Sequence, residues 1–309
     1  MVIEMVHISK RYGQLHALTD LNFSVKQGTV YGFIGPNGAG KSTAMLILST
    51  LLEQSEGEAY VCGENVRKNP KAVRQSLGYM PDFFGVYDNL TAVEYLEFYA
   101  GAFKIPARKR PALVADLLEL VNLSHKADAY VDSLSRGMQQ RLSLARSLVH
   151  DPSVLILDEP ASGLDPRARI ELREIIKQLR GMGKTILISS HILPELAELC
   201  DEIGVIEQGR MIASGPVRDI SQRNRSRKQM VLRTLSEEEL AARILDECPF
   251  VSQLNEYVEE FRFRFDGTEQ QKAGLLHELI AAGVDVVFYG DAKENLEDVF
   301  LAITEGVGG

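Results

Sequence analysis

The sequence has few cysteines, no tryptophan and no long run of apolar residues. Its cysteines, Cys62, Cys200 and Cys248, are widely separated and form no Cys-x-x-Cys pair, so they indicate neither a disulfide framework nor a zinc site. No stretch approaches the roughly 20 apolar residues that a membrane-spanning helix needs. We therefore expect a protein of a reducing compartment, and any work at a membrane would be done through a partner.

Basic charge is also scarce, because 34 lysines and arginines stand against 43 aspartates and glutamates, for a formal net charge of -9. A general nucleic-acid binder carries a basic surface, so no nucleic-acid partner is expected. Residues 1–13 contain Glu4, His7, Lys10 and Arg11 and lack an apolar core. They therefore do not resemble a secretory signal.

A glycine-rich loop is the most informative stretch. It follows the apolar run 30–34, precedes a predicted helix over residues 44–52, and matches the pattern G-x-x-x-x-G-K-[ST]. Backbone N–H groups of such a loop turn inward around phosphate oxygens, and the helix N-terminus adds its positive dipole end. Lys41 can reach the β- and γ-phosphates of a nucleotide, and the Ser42 hydroxyl would hold Mg²⁺. The candidate nucleotide-binding residues are Gly35, Pro36, Asn37, Gly38, Ala39, Gly40, Lys41, Ser42 and Thr43.

Polar side chains follow two further predicted strands. Asp158 and Glu159 come after the apolar run 153–157, and His191 follows a strand predicted over residues 184–190. Strands alternate with helices up to about residue 200, which predicts a mainly parallel sheet with these groups and the glycine-rich loop at one edge. Surface charge is the alternative interpretation of the acidic pair, but four preceding aliphatic residues favour a site.

Local patterns predict the surrounding elements. Alternating apolar and polar residues predict strands over residues 3–8 and 19–26, a hairpin over 57–66 and a strand over 73–80. Tyr12 is either an aromatic at a strand end or a flat surface on which adenine stacks. Helices are predicted over residues 91–103, opened by a Thr91–Glu94 capping box, over 111–121, and from Asp165-Pro166 to about 182.

The C-terminal part has a different element order. Residues 221–228 are polar and basic and predict a linker, although their charge also suits contact with anionic lipid or another subunit. The following pattern is strand, helix, strand, strand, helix, strand, which is the order of a small ferredoxin-like α+β domain, and a short helix is predicted over 296–304. We thus expect domains at 1–220 and 229–309, the second a regulatory or assembly module.

Residues 134–140, Leu-Ser-Arg-Gly-Met-Gln-Gln, precede a helical run. With the glycine-rich loop upstream and the acidic pair downstream, residues 2–220 resemble the nucleotide-binding subunit of ATP-binding-cassette (ABC) transporters. The usual signature Leu-Ser-Gly-Gly-Gln is altered here at Arg136 and Met138 but keeps Ser135 and Gly137. The resemblance implies a P-loop NTPase α/β domain, with N-terminal antiparallel strands, a mainly parallel core sheet and a helical subdomain at about 83–150, that binds and hydrolyses ATP with Mg²⁺.

The resemblance also implies roles for the candidate residues. Ser135 and Gly137 would face the γ-phosphate held by a second ATPase subunit, identical or related, although Ser135 alone also suits a plain helix cap. Asp158 would support Mg²⁺, and Glu159 would polarise the attacking water. His191 would contact the γ-phosphate, and Asp165 would touch the opposite subunit.

One position departs from the family pattern. The family usually has a glutamine after the strand that precedes the helical section, where this chain has Asp82. An aspartate can still ligate Mg²⁺, so Asp82 joins Ser42 and Asp158 as a candidate metal ligand. Its side chain is shorter, and it adds negative charge beside Asp158 and Glu159.

The tail at residues 294–300 is similar to that of the drug- and antibiotic-exporting branch. The expected function is therefore an ATPase subunit, peripheral on the cytoplasmic face of the cell membrane, that powers a separate integral membrane permease, with export favoured. Phe83, Phe84, Val86 and Tyr87 form either a docking cluster for the permease or part of the core. The alternative is a soluble ATPase acting on ribosomes or DNA, which the single cassette, the lack of a coiled-coil insertion and the acidic balance oppose.

Overall fold

The computed structural model describes residues 1–83, 85, 89–192, 196, 198–217, 219, 229–257 and 260–291. Met1–Val217 belongs to one compact unit and Arg218–Glu305 forms a second. Each unit has its own cluster of buried apolar side chains. Within the described residues, the structure contains no helix with the length and apolar character required to cross a membrane.

The first unit contains an antiparallel sheet of strands β1 (Ile3–Tyr12), β2 (Leu15–Val25), β4 (Glu56–Val61) and β5 (Glu64–Asn65), in the order β2-β1-β4-β5. The two predicted N-terminal strands are confirmed and extend to the tight turn between Tyr12 and Leu15. The predicted hairpin is confirmed as the β4–β5 pair.

A second sheet forms the core of this unit. Its order is β10-β9-β3-β8-β7-β6, and every neighbouring pair is parallel except β9 and β10. All residues of β3, β7 and β8 are buried, as expected of strands covered on both faces. The strands are β3 (Val30–Ile34), β6 (Leu77–Met80), β7 (Val154–Leu157), β8 (Thr185–Ser190), β9 (Glu202–Glu207) and β10 (Arg210–Pro216).

The α-helices of this unit whose full range lies within the described residues are α1 (Lys41–Leu48), α2 (Pro70–Ser76), α3 (Ala92–Ala102), α4 (Arg110–Leu120), α5 (Arg136–Leu148) and α6 (Pro166–Gly181). The predicted capping box at Thr91 and Glu94 is confirmed at the start of α3. The strand predicted over residues 73–80 is wrong in its first half, where α2 precedes the short strand β6. Pro70 occupies the first turn of α2, a position that suits proline because its missing N–H has no helical partner there.

A buried arginine joins three of these helices. Arg141, on α5, donates from Nη1 to the carbonyl oxygens of Val121 (3.0 Å) and Asn122 (3.3 Å), which follow α4. The same Nη1 lies 3.3 Å from Oε2 of Glu171 on α6. Because a buried cation needs such partners, these contacts tie α5 to the end of α4 and to α6.

The second unit contains strands β11 (Gln229–Thr234), β12 (Val251–Tyr257), β13 (Glu260–Phe265) and β14 (Val286–Asp291), with helices α7 (Glu238–Glu247) and α8 (Glu269–Ala281). The sheet is antiparallel with the order β12-β13-β11-β14, which confirms the predicted ferredoxin-like arrangement. Both helices pack on the face that carries Phe261, Phe263 and Phe265. The predicted linker 221–228 and helix 296–304 lie outside the described residues.

Candidate nucleotide-binding site

The glycine-rich loop connects β3 to α1. It packs against β9 and against the turn that follows β9. A Cβ atom at Gly35 would lie 2.3 Å from the carbonyl oxygen of Ile206, so no side chain fits there. Gly40 has φ +105°, in the left-handed region, and a Cβ there would lie 2.7 Å from the carbonyl oxygen of Ala17. The N–H of Gly209 donates to the carbonyl oxygen of Ala39 at 2.9 Å. These contacts set the loop's shape through residues that are distant in sequence.

Lys41 is buried at the start of α1. Its Nζ donates to the carbonyl oxygens of Gly35 (2.7 Å) and Pro36 (3.2 Å) and lies 3.3 Å from Oε1 of Glu159. The ammonium group is therefore held inside the curve of the loop. In this position it can meet the phosphate groups of a nucleotide that enters the loop.

Glu159 stands between two partners at the ends of β7 and β8. Its Oε2 lies 2.9 Å from Nδ1 of His191, while its Oε1 faces Lys41. Because a carboxylate accepts hydrogen bonds, Nδ1 of His191 carries the proton in this contact. Asp158, the preceding residue, is buried and its Oδ1 accepts a hydrogen bond from the Ser189 hydroxyl at 2.7 Å. The three predicted strand-end residues thus lie together.

A cavity of about 700 Å³ opens over the loop, a size within the range of about 300–1,000 Å³ typical of ligand pockets. Tyr12 lines it and is about half exposed, with the Lys10 ammonium 5.0 Å from its ring centroid. Gly35 and Pro36 contribute their carbonyls to Lys41, and Ala39 is buried behind the loop. The predicted site residues that line the cavity are Tyr12, Asn37, Gly38, Gly40, Lys41, Ser42, Thr43, Asp82 and Glu159.

Asp82 brings a third carboxylate to this region. Partial burial raises the pKa of its carboxyl above the ordinary value of 3.8, and the nearby charges of Asp158 and Glu159 raise it further. The charges of Arg136 and His191 act in the opposite direction on this pKa. Asp82 and Arg136 both depart from the ABC sequence pattern, and their charges partly compensate.

Arg136 and Gln140 lie one turn apart on α5, which begins within the stretch 134–140 and not after it. The Arg136 guanidinium covers Gly163, where an added Cβ would lie 2.6 Å from Cζ of the arginine. Gln140 is buried, and its Nε2 donates to the backbone oxygen of Asp82 at 3.4 Å. This face of α5 therefore contacts both the loop before α6 and the segment after β6.

The signature residues occupy the start of α5. Ser135 is the N-cap, and its Oγ accepts from the N–H of Met138 at 3.4 Å. A Cβ at Gly137 would lie 2.9 Å from Cβ of Ala168, so glycine allows α5 to approach α6 closely. Asp165 caps α6 by accepting from the N–H of Ala168 at 2.9 Å. Among the described residues that line the cavity over the glycine-rich loop, none belongs to the signature.

The model of the family described as ABC transporter matches residues 18–162. The Nod factor export ATP-binding protein I of Burkholderia orbicola (strain AU 1054) is 46% identical over 213 residues, covering 69% of this chain and 70% of that relative. The chain belongs to the ABC transporter family. The bacitracin transport ATP-binding protein BcrA of Bacillus licheniformis is 34% identical over 307 residues, covering 99% of this chain and 98% of BcrA.

Solved ABC structures share the fold of this chain. An ATP-binding subunit of an ABC transporter is 30% identical with a TM-score of 0.66, covering 72% of this chain and 93% of that one. A dimeric ATP-binding cassette in a post-hydrolysis state, bound to ADP and Pi, is 25% identical with a TM-score of 0.64. The match covers 70% of this chain and 99% of that one. The predicted ABC ATPase fold is confirmed.

These relatives also decide between the two functions considered above. The chain is an ATP-binding, ATP-hydrolysing ABC protein whose relatives fall in the drug- and antibiotic-exporting branch. Its ATPase activity is coupled to transport. The alternative of a soluble ABC ATPase acting on ribosomes or DNA is not favoured.

Other residues of this ABC site were not among the sequence predictions. Ser189 contacts both Asp158 and Glu159, yet it lies inside an apolar strand pattern and belongs to no recognised motif. The first sheet and the turn after β9 also contribute to the cavity. These lining residues are Leu15, His16, Ala17, Thr19 and Gln208. They have no common sequence signal, since only the fold brings the two sheets together at the loop.

Proposed function

We propose that this chain is one of two ATPase subunits that close around two ATP–Mg²⁺ pairs and thereby drive an integral membrane permease that exports its cargo. The observation that carries the proposal is the Glu159 carboxylate, which lies 3.3 Å from Lys41 Nζ and 2.9 Å from His191 Nδ1. A base and a cation that line the cavity are thereby joined to a proton-bearing imidazole. This combination suits phosphoryl transfer to water.

The roles follow from the chemistry of each group. Lys41 binds the β- and γ-phosphates, Glu159 accepts the proton of the attacking water, and His191 orients Glu159 and contacts the γ-phosphate. Ser42 and Asp82 line the cavity, and Asp158 follows β7. These three side chains carry oxygen donors of the kind that Mg²⁺ prefers, and they would hold the ion. When bound, the ion neutralises phosphate charge.

A second subunit completes each site. Ser135 and Gly137 lie at the exposed start of α5, and an anion site formed by a helix N-terminus and a serine hydroxyl suits a γ-phosphate held by another chain. A relative of known structure is a dimeric cassette bound to ADP and Pi. Binding of ATP would stabilise the closed pair and hydrolysis would weaken it. The second ATPase is an identical or a related chain.

The permease would dock on the helical section, which places the chain on the cytoplasmic face of the membrane. Phe83 is 81% exposed and Phe98 is 51% exposed, so this section offers apolar side chains for contact with a partner. The remaining members of the predicted docking cluster, Phe84, Val86 and Tyr87, lie outside the described residues. Relatives named for Nod factor export and bacitracin transport support export as the direction.

Co-purification tests the transport proposal. A tagged chain, purified in detergent from the membranes of the cells that naturally make it, should retain a multi-helix membrane protein. Phe83→Ala should weaken retention about tenfold, as expected when a central aromatic leaves an interface. Met182→Ala is the matched control, because Met182 is an exposed apolar residue at the end of α6. Retention of ribosomes or DNA in place of the membrane protein would contradict the proposal.

Replacement of Asp82 tests its proposed use as an oxygen ligand. Asp82→Gln should keep ATPase activity within about threefold of wild type, because an amide oxygen can still serve Mg²⁺ directly or through water. Asp82→Leu, which has no oxygen, is the control and should lose most of the activity. A collapse of activity in Asp82→Gln would instead show that the negative charge is used.

The same variant has a predicted effect on stability. Because the pKa of Asp82 is raised in the folded chain, ionisation costs more there than in the unfolded chain, and stability falls as pH rises above the ordinary value of 3.8. Glutamine does not ionise. Thermal melting near neutral pH, without nucleotide, should therefore show Asp82→Gln to be at least as stable as wild type.

A further inference from the structure

Ser189 is fully buried near the end of β8, and its hydroxyl makes two hydrogen bonds. The hydroxyl donates to Oδ1 of Asp158 at 2.7 Å and accepts from the backbone N–H of Glu159 at 2.8 Å. A hydroxyl has one proton and two lone pairs, so both contacts are made at once without competition. Ser189 thereby joins the end of β8 to the side chain of one predicted site residue and the backbone of the next.

The contact with Glu159 falls where the backbone leaves the strand. The N–H of Asp158 still donates to the carbonyl oxygen of Met80 at 2.9 Å, in the β6–β7 ladder. Glu159 has φ +48°, in the left-handed region that is uncommon for residues other than glycine. Such a conformation is strained and persists only where the surroundings hold it. The Ser189 hydroxyl is the side-chain group that holds the N–H of this residue.

The direction of the Glu159 side chain depends on that backbone conformation. With the chain turned at Glu159, its two carboxylate oxygens face Lys41 Nζ at 3.3 Å and His191 Nδ1 at 2.9 Å. His191 follows Ser189 by two residues on the same strand end. Two residues at the end of β8 therefore position the carboxylate of Glu159. Ser189 holds its backbone through a hydrogen bond, and His191 contacts the carboxylate through its imidazole.

We propose that Ser189 is a positioning residue for ATP hydrolysis. Its hydroxyl holds the left-handed backbone of Glu159, which aims the carboxylate at Lys41 and His191, and it orients the Asp158 carboxylate through Oδ1. The proposal deepens the function proposed above and rests on it. Ser189 itself does not touch the nucleotide, and it acts through its two neighbours.

Space beside Ser189 allows variants that change its hydroxyl and its bulk separately. A cavity of about 30 Å³ is lined by Ser189 together with Leu172, Ile188 and Leu196, enough for an added methyl group. Ser189→Thr keeps the hydroxyl, and Ser189→Val has the shape of threonine without it. Ser189→Ala removes the hydroxyl without adding bulk. Comparison of the threonine and valine variants separates the hydroxyl from the packing.

The experiment measures kcat and KM for ATP in the full-length chain, with Mg²⁺ titrated at saturating ATP. Ser189→Val and Ser189→Ala should lower kcat by about 10- to 100-fold, the range seen when partners that orient a metal or catalytic site are removed. The KM for ATP should change little, since the glycine-rich loop is untouched, and half-saturation should move to higher Mg²⁺. Ser189→Thr should restore kcat to within about threefold of wild type.

The control is Ser147→Ala. Ser147 is also a buried serine, but its hydroxyl donates to the carbonyl oxygen of Leu144 within α5, so its loss should leave kcat unchanged. A wild-type kcat in Ser189→Val, or equal losses in the valine and threonine variants that still bind ATP, would overturn the inference. Glu159→Gln in the same assay separates the two proposals: if it is inactive while Ser189→Val is active, only the role of Ser189 fails.

Discussion

Lys41→Ala should lose ATP binding and, with it, all measurable ATPase activity. The Lys41 ammonium lies inside the glycine-rich loop, 2.7 Å and 3.2 Å from two loop carbonyls, so its charge is directed at the position of the phosphates. Without Lys41, ATP would lose two charge-assisted hydrogen bonds from the ammonium to its phosphate oxygens, at about 1.5–3 kcal/mol each. The affinity for ATP should therefore be at least about 100-fold weaker. Removal of the cation also leaves Oε1 of Glu159, which has no hydrogen bond, without its ion-pair partner.

Equilibrium binding of labelled ATP measures this effect. Lys68→Ala is a suitable control, because Lys68 is largely exposed and pairs with Glu58 on the first sheet. Its replacement should leave ATP affinity unchanged, as exposed ion pairs contribute little. An unchanged affinity in Lys41→Ala, in a chain that melts at the wild-type temperature, would show that the nucleotide binds elsewhere.

Glu159→Gln should separate binding from hydrolysis. Glutamine has nearly the same shape and can still accept from His191 Nδ1, so the cavity and Lys41 remain in place. It cannot take a proton from water, and the loss of a general base predicts hydrolysis about 100-fold slower or more. Because closure is tied to bound ATP, the variant should accumulate as a dimer when ATP and Mg²⁺ are present.

Size-exclusion chromatography with and without ATP detects that dimer. The double variant Lys41→Ala/Glu159→Gln is the control and should stay monomeric, since it cannot bind the nucleotide that links the subunits. Hydrolysis at the wild-type rate in Glu159→Gln would show that another group activates the water. A dimer that forms equally without ATP would contradict the proposed link between nucleotide and assembly.

The site could be predicted from sequence wherever function requires a contiguous motif. Gly35 to Thr43 form such a motif because one turn of backbone must surround a phosphate, and Asp158, Glu159 and His191 stand directly after strands with clear apolar patterns. Their convergence followed from the rule that parallel strands end at one edge. The structure places the Glu159 carboxylate within ion-pair distance of Lys41 and within hydrogen-bond distance of His191.

Other parts depend on contacts that no local pattern encodes. In the sequence, Ser189 is a small residue within a strand pattern. Its contacts with Asp158 and Glu159 exist only because β7 and β8 pair. The opposing charges of Asp82 and Arg136 lie far apart in sequence, yet in the fold the Arg136 charge lowers the pKa of Asp82. The pattern of residues 73–80 predicts a strand, but the first half of that range belongs to α2, whose apolar residues are too few to show a helical period. Pro70 is the sequence signal that a helix begins there.

The close approach of Gly35 to Ile206 has a consequence for how the protein is made. The phosphate loop is complete as a sequence after residue 43, but it turns against the carbonyl of Ile206 and is tied through Ala39 to Gly209. During synthesis, the nascent chain therefore contains the whole motif long before Ile206 and Gly209, which shape the loop, have left the ribosome. Contacts of such long sequence separation form late in folding. A fragment that ends before residue 206 should hold every residue of the motif and still bind no nucleotide.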